Sequence, residues 1–191
     1  MAYPHDALLR ESRKLVKGGL PLISQGLDSV RAYGFECRFV IPTTTGLSNS
    51  ENLTLAAKQV TVPGLVVSEI VVNRLNDAVY YPGKVQKEDL KVTFDDLYDP
   101  RVATQLFTWF KSIYDPITGI MAGQTFRGKQ FKGSLKVISL DGEGVPKATT
   151  SYFGVWPKNW KGSDFNYGSN EFHNIEVSFS YDFMEHADGL Q

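Results

Sequence analysis

The stretch "VTFDDLYDPRVATQLFTWF", residues 92–110, changes from an alternating strand pattern to a helical one. Around its start, Leu90, Val92 and Phe94 alternate with polar residues, which is typical of a half-buried strand. Further along, apolar residues recur at helical spacing, namely Val102, Leu106, Trp109, Phe110 and Ile113. The helix is predicted over residues 99–114, because the residue before Pro116 resists the helical conformation.

Three carboxylates, Asp95, Asp96 and Asp99, lie where the strand becomes the helix. Pro100 suits the first helical position, so Asp99 is the predicted N-cap. Asp95 and Asp96 lie near the positive end of the helix, which favours negative charge, and Asp96 is predicted to assist the cap. A metal site would need more ligands, and the spacing is not that of a calcium loop. Helix capping is therefore favoured, and an enzyme or ligand-binding domain that uses the three acids is the alternative.

The rest of the chain is dominated by strands that are apolar on one face and polar on the other. Such segments are "FECRFVI" (35–41), "KQFKGSLKVISLDGEG" (129–144) with its hairpin partner "ATTSYFGVWP" (148–157), and "FHNIEVSFSYDF" (172–183). This alternation favours antiparallel sheet. The predicted class is mainly β, a sandwich or barrel with one flanking helix, while residues 42–54 are predicted to be a polar loop.

The predicted organisation is a single domain over residues 1–191. Residues 1–33 form an N-terminal arm, in which residues 6–17 have the pattern of a short helix ended by Gly18-Gly19. Residues 34–184 form the β core with the helix. The segment "GLVVSEIVVNRL", residues 64–75, is apolar on both faces, which suits either a central strand or a strand covered by a neighbouring subunit.

The composition argues against several classes of function. Twenty basic and 21 acidic residues give a net charge of −1, which disfavours stable nucleic-acid binding. The only cysteine, Cys37, has no partner for an internal disulfide or a cysteine-based zinc site. No apolar run is long enough for a membrane anchor, and the N-terminus lacks the pattern of a signal peptide, so an intracellular protein is expected.

No residue pattern supports an active site. The three histidines, His5, His173 and His186, have no carboxylate or cysteine at motif spacing, and neither a nucleophile elbow nor a phosphate-binding glycine loop is present. In "VWPKNWKG", residues 155–162, a packing or subunit contact is favoured over stacking on bases. No catalytic residue, metal ligand or cofactor is predicted.

The order of these segments resembles the tail tube protein of contractile-tailed bacteriophages and, more distantly, the tube-forming proteins of type VI secretion. The resemblance covers residues 34–184 and is clearest in the strand–Asp–helix–Trp block at 90–116 and the ending "VSFSYD", 177–182. It implies a structural subunit, not an enzyme, that forms hexameric rings. The rings would stack into a hollow tube inside a contractile sheath and form the channel for DNA ejection.

The resemblance also implies the partners and the location. The partners would be other copies of the chain, the tail sheath protein, and the baseplate and tail terminator proteins, with the tape measure protein and phage DNA passing through the lumen. The protein would be part of the virion and would assemble in the host cytoplasm. A tube protein of a secretion or injection machine, or a ring protein that initiates or terminates a tube, is the alternative.

A channel for DNA needs polar walls without basic clustering, because lysines that bind phosphate would retain the DNA. The polar faces of two alternating strands meet this need. The candidate lumen-facing residues are therefore Glu36 with Arg38 and Lys91 with Thr93.

Overall fold

The structure is a computed structural model that describes residues 30–47, 50–98, 101–121, 131–168 and 170–188. The predicted helix at residues 6–17 and the predicted cap Asp99 lie outside these ranges. The strands are β1 Phe35–Val40, β2 Ala57–Thr61, β3 Leu65–Arg74, β4 Asp77–Lys87, β5 Leu90–Asp95, β6 Gly133–Leu140, β7 Pro146–Gly162, β8 Asn174–Ser180 and β9 Phe183–Asp188. The helices are α1 Glu51–Ala56 and α2 Val102–Lys111, with a 3-10 turn at Thr43–Thr45.

Two antiparallel layers share the long strand β7. The β1 sheet contains β1, β6, the first half of β7 and β9, and the β5 sheet contains the second half of β7, β8, β5 and β2. The core lies between the layers, where the Phe39 ring is 5.6 Å from Phe94 and 6.1 Å from Phe179. The predicted antiparallel, mainly β class is confirmed. The strand path stays open, since β1 and β2 end it without pairing with each other.

Strand β7 changes layers at Gly154, where the backbone has a φ of 68°. A Cβ atom at Gly154 would overlap the carboxylate of Asp182, which lies over the bend. Lys132 Nζ donates to both Asp182 carboxylate oxygens at 2.8 Å, and Asp182 N donates to Phe153 O at 2.9 Å. The bend is therefore held by a carboxylate that only glycine can accommodate beneath it.

Helix α2 flanks the sandwich and inserts Trp109, which is fully buried with its ring 5.5 Å from Phe179. Its indole N–H donates to Phe131 O at 2.9 Å. The helix is shorter than the predicted 99–114, because the Arg101 backbone is extended, with ψ at 112°, and the α-helix ends at Lys111.

Two sequence predictions of local structure were wrong. Residues 42–54 are not a continuous loop, because α1 begins at Glu51 and buries Leu53 and Ala56 against the core. Residues 172–183 are not a single strand, because β8 ends at Ser180 and β9 begins at Phe183. The Phe183 side chain is exposed and stacks on Phe153. Among the described residues, the helices are too short or too polar for a transmembrane span.

Replacing Gly154 with alanine should lower the free energy of unfolding by at least about 1–2 kcal/mol, the cost of a left-handed L-residue. Displacement of the Asp182 carboxylate adds to this cost. Urea unfolding followed by tryptophan fluorescence measures the change. Gly168→Ala is the matched control, because its Cβ would meet only the Asn166 side chain at 3.4 Å. Equal midpoints for the two variants would contradict the role of Gly154.

Candidate functional site

The hairpin of β3 and β4 forms a two-stranded sheet of its own, separate from the sandwich. Its strands have 10 and 11 residues, so the hairpin is about 33 Å long. Strand β3 pairs only with β4 among the described residues, so the first of the two alternatives for residues 64–75, a central strand, does not hold within the described protomer. Within the described ranges, both outer edges of the hairpin carry unpaired backbone groups, and a lone two-stranded sheet is marginally stable in water.

The distal half of the hairpin is apolar on both faces. On one face, Ile70 pairs with Tyr81 and Val72 pairs with Val79, and on the other face Val71 pairs with Tyr80. These six residues are between 37% and 60% exposed. Contiguous exposed apolar side chains of this kind are typical of interaction surfaces, whereas a strand face in contact with water is usually polar. Below we call these six residues the hairpin patch.

The base of the hairpin is fixed to the sandwich. Glu88 N donates to Gly64 O at 3.2 Å, and Gly64 N donates to Glu88 Oε2 at 3.0 Å. These two hydrogen bonds join the residue before β3 to the residue after β4. Lys87 Nζ donates to Asp182 O and lies 5.8 Å from the centre of the Tyr181 ring. The hairpin therefore projects from an anchored base beside the bend of β7.

The acidic cluster has structural partners. Asp96 Oδ1 accepts a hydrogen bond from Ala103 N at 3.2 Å, in the first turn of α2, and Asp96 Oδ2 lies 3.2 Å from His173 Nδ1. Asp95 Oδ1 lies 3.2 Å from Lys58 Nζ on β2, a largely exposed ion pair. No group of three or more His, Cys, Asp or Glu side chains in the described ranges is arranged to hold a metal ion.

His173 joins Asp96 to the loop between β7 and β8, a contact that spacing in the sequence does not reveal. Its Nε2 lies 3.0 Å from Ser163 O, and its ring stacks on Phe165 with centroids 4.4 Å apart. Around this stack lies an open cleft of about 510 Å³ lined by Asp95, Asp96, Leu97, Tyr98, Arg101, Phe165, Glu171, Phe172 and His173. We call it the Asp96 cleft.

The candidate lumen residues lie on outer faces of two different sheets. The side chains of Glu36 and Arg38 lie on the outer face of the β1 sheet, where they form an ion pair at 2.7 Å. The hydrogen bond from Arg38 lowers the pKa of the Glu36 carboxyl group. The side chains of Lys91 and Thr93 lie on the outer face of the β5 sheet. Because the core lies between the two sheets, the two pairs do not share one surface of the protomer.

The outer face of the β5 sheet is polar across all four strands. Cross-strand pairing aligns two rows on this face, Gln59–Thr93–Glu176–Lys161 and Thr61–Lys91–Ser178–Asn159. The outer face of the β1 sheet is mixed, because Val40, Phe153 and Phe183 lie among its polar residues. Among the described strands, the polar residues therefore form a continuous surface on the β5 sheet but not on the β1 sheet.

Other polar candidates are occupied or unreactive. Lys158, in the segment that could stack on bases, forms an ion pair with Asp89 at 2.7 Å, while Trp160 packs edge-on against Phe107 of α2. Cys37 is buried in the core, and burial raises the pKa of its thiol to about 12, with a smaller contribution from Glu36. The thiol is therefore protonated and shielded at neutral pH.

Several solved structures share this fold at low sequence identity. A chain from the sheath–tube complex of the PVC extracellular contractile injection system, in its extended state, is 13% identical with a TM-score of 0.63 over 92% of this chain and 97% of that chain. A chain from the tube-terminating cap of the anti-feeding prophage is 10% identical, with a TM-score of 0.64 over 85% and 93%. A chain from its baseplate is 10% identical, with a TM-score of 0.63 over 84% and 96%.

The fold is thus one that occurs in contractile injection machines. The chain belongs to the T4-like virus tail tube protein gp19 family, whose model matches residues 49–185. The resemblance to the tail tube family that the sequence showed is therefore confirmed. A search of the curated proteins finds no match.

Replacing Asp96 with alanine should lower the free energy of unfolding by about 1–2 kcal/mol, because a largely buried carboxylate bonded to Ala103 N and His173 is lost. Asp95→Ala is the control and should cost less than about 1 kcal/mol, since it removes a largely exposed ion pair. Urea unfolding compares the two variants. A rise in melting temperature with added Ca²⁺ or Mg²⁺ that Asp96→Ala abolishes would instead support a metal site.

Proposed function

We propose that the chain is a structural, non-catalytic subunit of a phage tail tube. Six copies form a ring, and rings stack into a hollow tube inside a contractile sheath that serves as the channel for DNA ejection. The observation that carries the proposal is the β3–β4 hairpin, which projects from the sandwich with apolar side chains on both faces. Membership of the tail tube family supports another copy of the chain as its partner.

Covering the hairpin patch supplies a driving force for assembly. Complete burial of a Val, Ile or aromatic side chain contributes about 1.5–3 kcal/mol, so a half-exposed one gains roughly 1 kcal/mol when a neighbour covers it. The six residues of the patch therefore contribute roughly 6 kcal/mol per copy before the cost of association is counted. Because a ring closes many such contacts at once, weak individual contacts add up to a stable assembly.

The β5 sheet supplies a route to a closed wall. Strand β2 pairs only with β5, and the second half of β7 pairs only with β8, so each side of this sheet has an unpaired edge among the described residues. Joining such sheets edge to edge around a ring satisfies these backbone groups and closes a barrel built from all copies.

We assign the lumen to the polar face of the β5 sheet, and therefore to Lys91 and Thr93. This face carries Lys91, Lys161 and Glu176 together with the ion pair of Lys58 and Asp95, so it attracts water without forming a strong basic track that would retain phosphate. Glu36 and Arg38, on the mixed face of the β1 sheet, are assigned to the side away from the lumen.

The proposed partners are those expected of a tube subunit in a contractile phage tail. They are other copies of the chain, the sheath, the baseplate and the tail terminator, with tape measure protein and DNA in the lumen during assembly and ejection. The similar structures come from assemblies described as a sheath–tube complex, a baseplate and a cap, which supports these contacts. The proposed location is the virion, after assembly in the host cytoplasm.

A second candidate is a tube protein of another injection machine or a ring protein that initiates or terminates a tube. The similarity to a chain from a tube-terminating cap favours keeping this candidate. Electron microscopy of the purified protein separates the possibilities, because a terminator makes single rings whereas a tube subunit makes long stacks. Small particles alone at high concentration would contradict both.

Placing two charges on the hairpin patch should abolish assembly. In the variant Ile70→Glu with Val72→Glu, two carboxylates replace apolar side chains on one face, so covering this face would bury unpaired charge. Sedimentation velocity and negative-stain microscopy should then detect monomers in place of rings or tubes. The melting temperature should change little, because the patch lies outside the sandwich core.

The matched control is Ile70→Val with Val72→Ile, which keeps the patch apolar and nearly conserves its volume. It should assemble like the wild type. Assembly of the glutamate variant at wild-type concentrations would contradict the role of the hairpin.

Cysteine labelling should identify the lumen face in assembled tubes. Thr93→Cys should react with a large maleimide–polyethylene glycol reagent only in the monomer, because the bore excludes the reagent once the tube forms. Glu36→Cys, on the β1 sheet, should show weaker protection. The native Cys37 gives little background, since it is 1% exposed and its raised pKa keeps it protonated. Protection of residue 36 combined with exposure of residue 93 would reverse the assignment.

A further inference from the structure

The Asp96 cleft exposes aromatic side chains to an unusual extent. Tyr98, Phe165, Tyr167 and Phe172, which line it or border it, are each at least 83% exposed. The cleft volume of about 510 Å³ lies within the range of about 300–1,000 Å³ that is common for ligand sites. Aromatic residues are the side chains that most often anchor protein interfaces, so this cleft has the composition of a docking surface.

The charges around the cleft indicate a basic occupant. Asp164 and Glu171, on the β7–β8 loop, form no ion pair with another described residue, whereas Asp95 is paired with Lys58 and Asp96 contacts His173. Arg101 is the only lysine or arginine among the described lining residues. A partner that combines aliphatic side chains with positive charge would complement both the aromatic surface and the acidic rim.

The chain itself contains such a segment. Residues 6–17, "DALLRESRKLVK", are predicted to form an amphipathic helix with Leu8, Leu15 and Val16 on one stripe. The segment also carries four positive charges against two negative ones, with the positive charges on Arg10, Arg13, Lys14 and Lys17. Its apolar stripe suits the aromatic cleft, and its basic residues suit Asp164 and Glu171.

The chain enters the described fold at the opposite end of β7 from the cleft. Leu140 N donates to Gly34 O at 2.8 Å, so the entry lies beside the β6–β7 turn at the start of β7, whereas the cleft lies beside Gly162 at its end. The link from Lys17 to Val30 spans at most about 45 Å. Strand β7 has a contour of about 53 Å, so docking within one chain would need a largely extended link, which favours a second copy as the source of the segment.

We propose that the Asp96 cleft receives the segment of residues 6–17 from a second copy of the chain. Because the chain enters the described fold at one end of the protomer and the cleft lies at the other end, such docking between copies would be a head-to-tail contact, which propagates into an open stack. The inference rests on the proposed self-assembly and adds a contact that links successive rings, separate from the hairpin patch. It also assigns a role to the N-terminal arm.

The test uses cross-linking between full-length chains. The variants Lys14→Cys and Glu171→Cys carry affinity tags of different mass, so that a heterodimer can be told from either homodimer. They are mixed, allowed to assemble and oxidised. The expected product is a heterodimer that contains one copy of each variant. Glu185→Cys, an exposed acid on β9, replaces Glu171→Cys in the matched control and should give little heterodimer. Cys37 does not interfere, because it is buried.

A charge reversal tests whether the contact is specific. Adding Arg13→Glu to the Lys14→Cys chain should lower the heterodimer yield about fivefold, as expected for the loss of one ion pair together with new repulsion. Adding Asp164→Lys to the Glu171→Cys chain should restore the yield. Such rescue would not occur if the segment merely passed near the cleft.

The outcomes separate the two proposals. Rings without heterodimer overturn the docking inference and leave the tube proposal intact. A chain carrying both cysteines that cross-links only within itself overturns the assignment to a second copy. Absence of both rings and heterodimer overturns the inference together with the proposed function.

Discussion

The structure depends on one strand that belongs to two sheets. Strand β7 pairs with β9 up to Phe153, with β6 up to Val155 and with β8 from Trp156 onwards, so the bend at Gly154 sets the relation between the layers. Because Asp182 occupies the space of a missing Cβ and is neutralised by Lys132, the bend is defined by packing and by charge. The same bend frees the second half of β7 from β6, which leaves an edge for another chain. The bend that shapes the monomer therefore also leaves the edge on which the proposed assembly relies.

Much of the fold could be predicted from alternation, because one buried face forces a period of two. Strands β1 and β5 and the β6–β7 hairpin were predicted for this reason. The break between β8 and β9 could not be predicted, since the alternation continues through Tyr181 and Phe183 although the backbone turns between them. Helix α1 was missed because two buried residues, Leu53 and Ala56, are too few to produce a periodic signal in a polar stretch.

The candidate site was less accessible to sequence reasoning, because its contacts join distant segments. The cluster of Asp95, Asp96 and Asp99 could be placed near a helix start, but the contact of Asp96 with His173 spans 77 positions and has no local pattern. Sequence also offered two polar strand faces as equivalent lumen candidates. Only the cross-strand register shows that one face is polar throughout and that the other includes Val40 and Phe153. The apolar segment at residues 64–75 was recognised, and its pairing with β4 alone shows that it is not a central strand of the described protomer.

If the hairpin is covered by another copy, as proposed, then before assembly its exposed edges can also pair with a wrong partner. Two features limit this risk in the sequence of the hairpin itself. Pro82 on β4 removes one backbone donor, and the register shift between Val67 and Glu69 interrupts the regular ladder. Both restrict edge pairing to a partner of matching shape, whereas the apolar side chains attract any covering surface. In the proposed assembly, affinity would therefore come from the side chains and selectivity from the backbone, so that a subunit joins only a neighbour of matching shape.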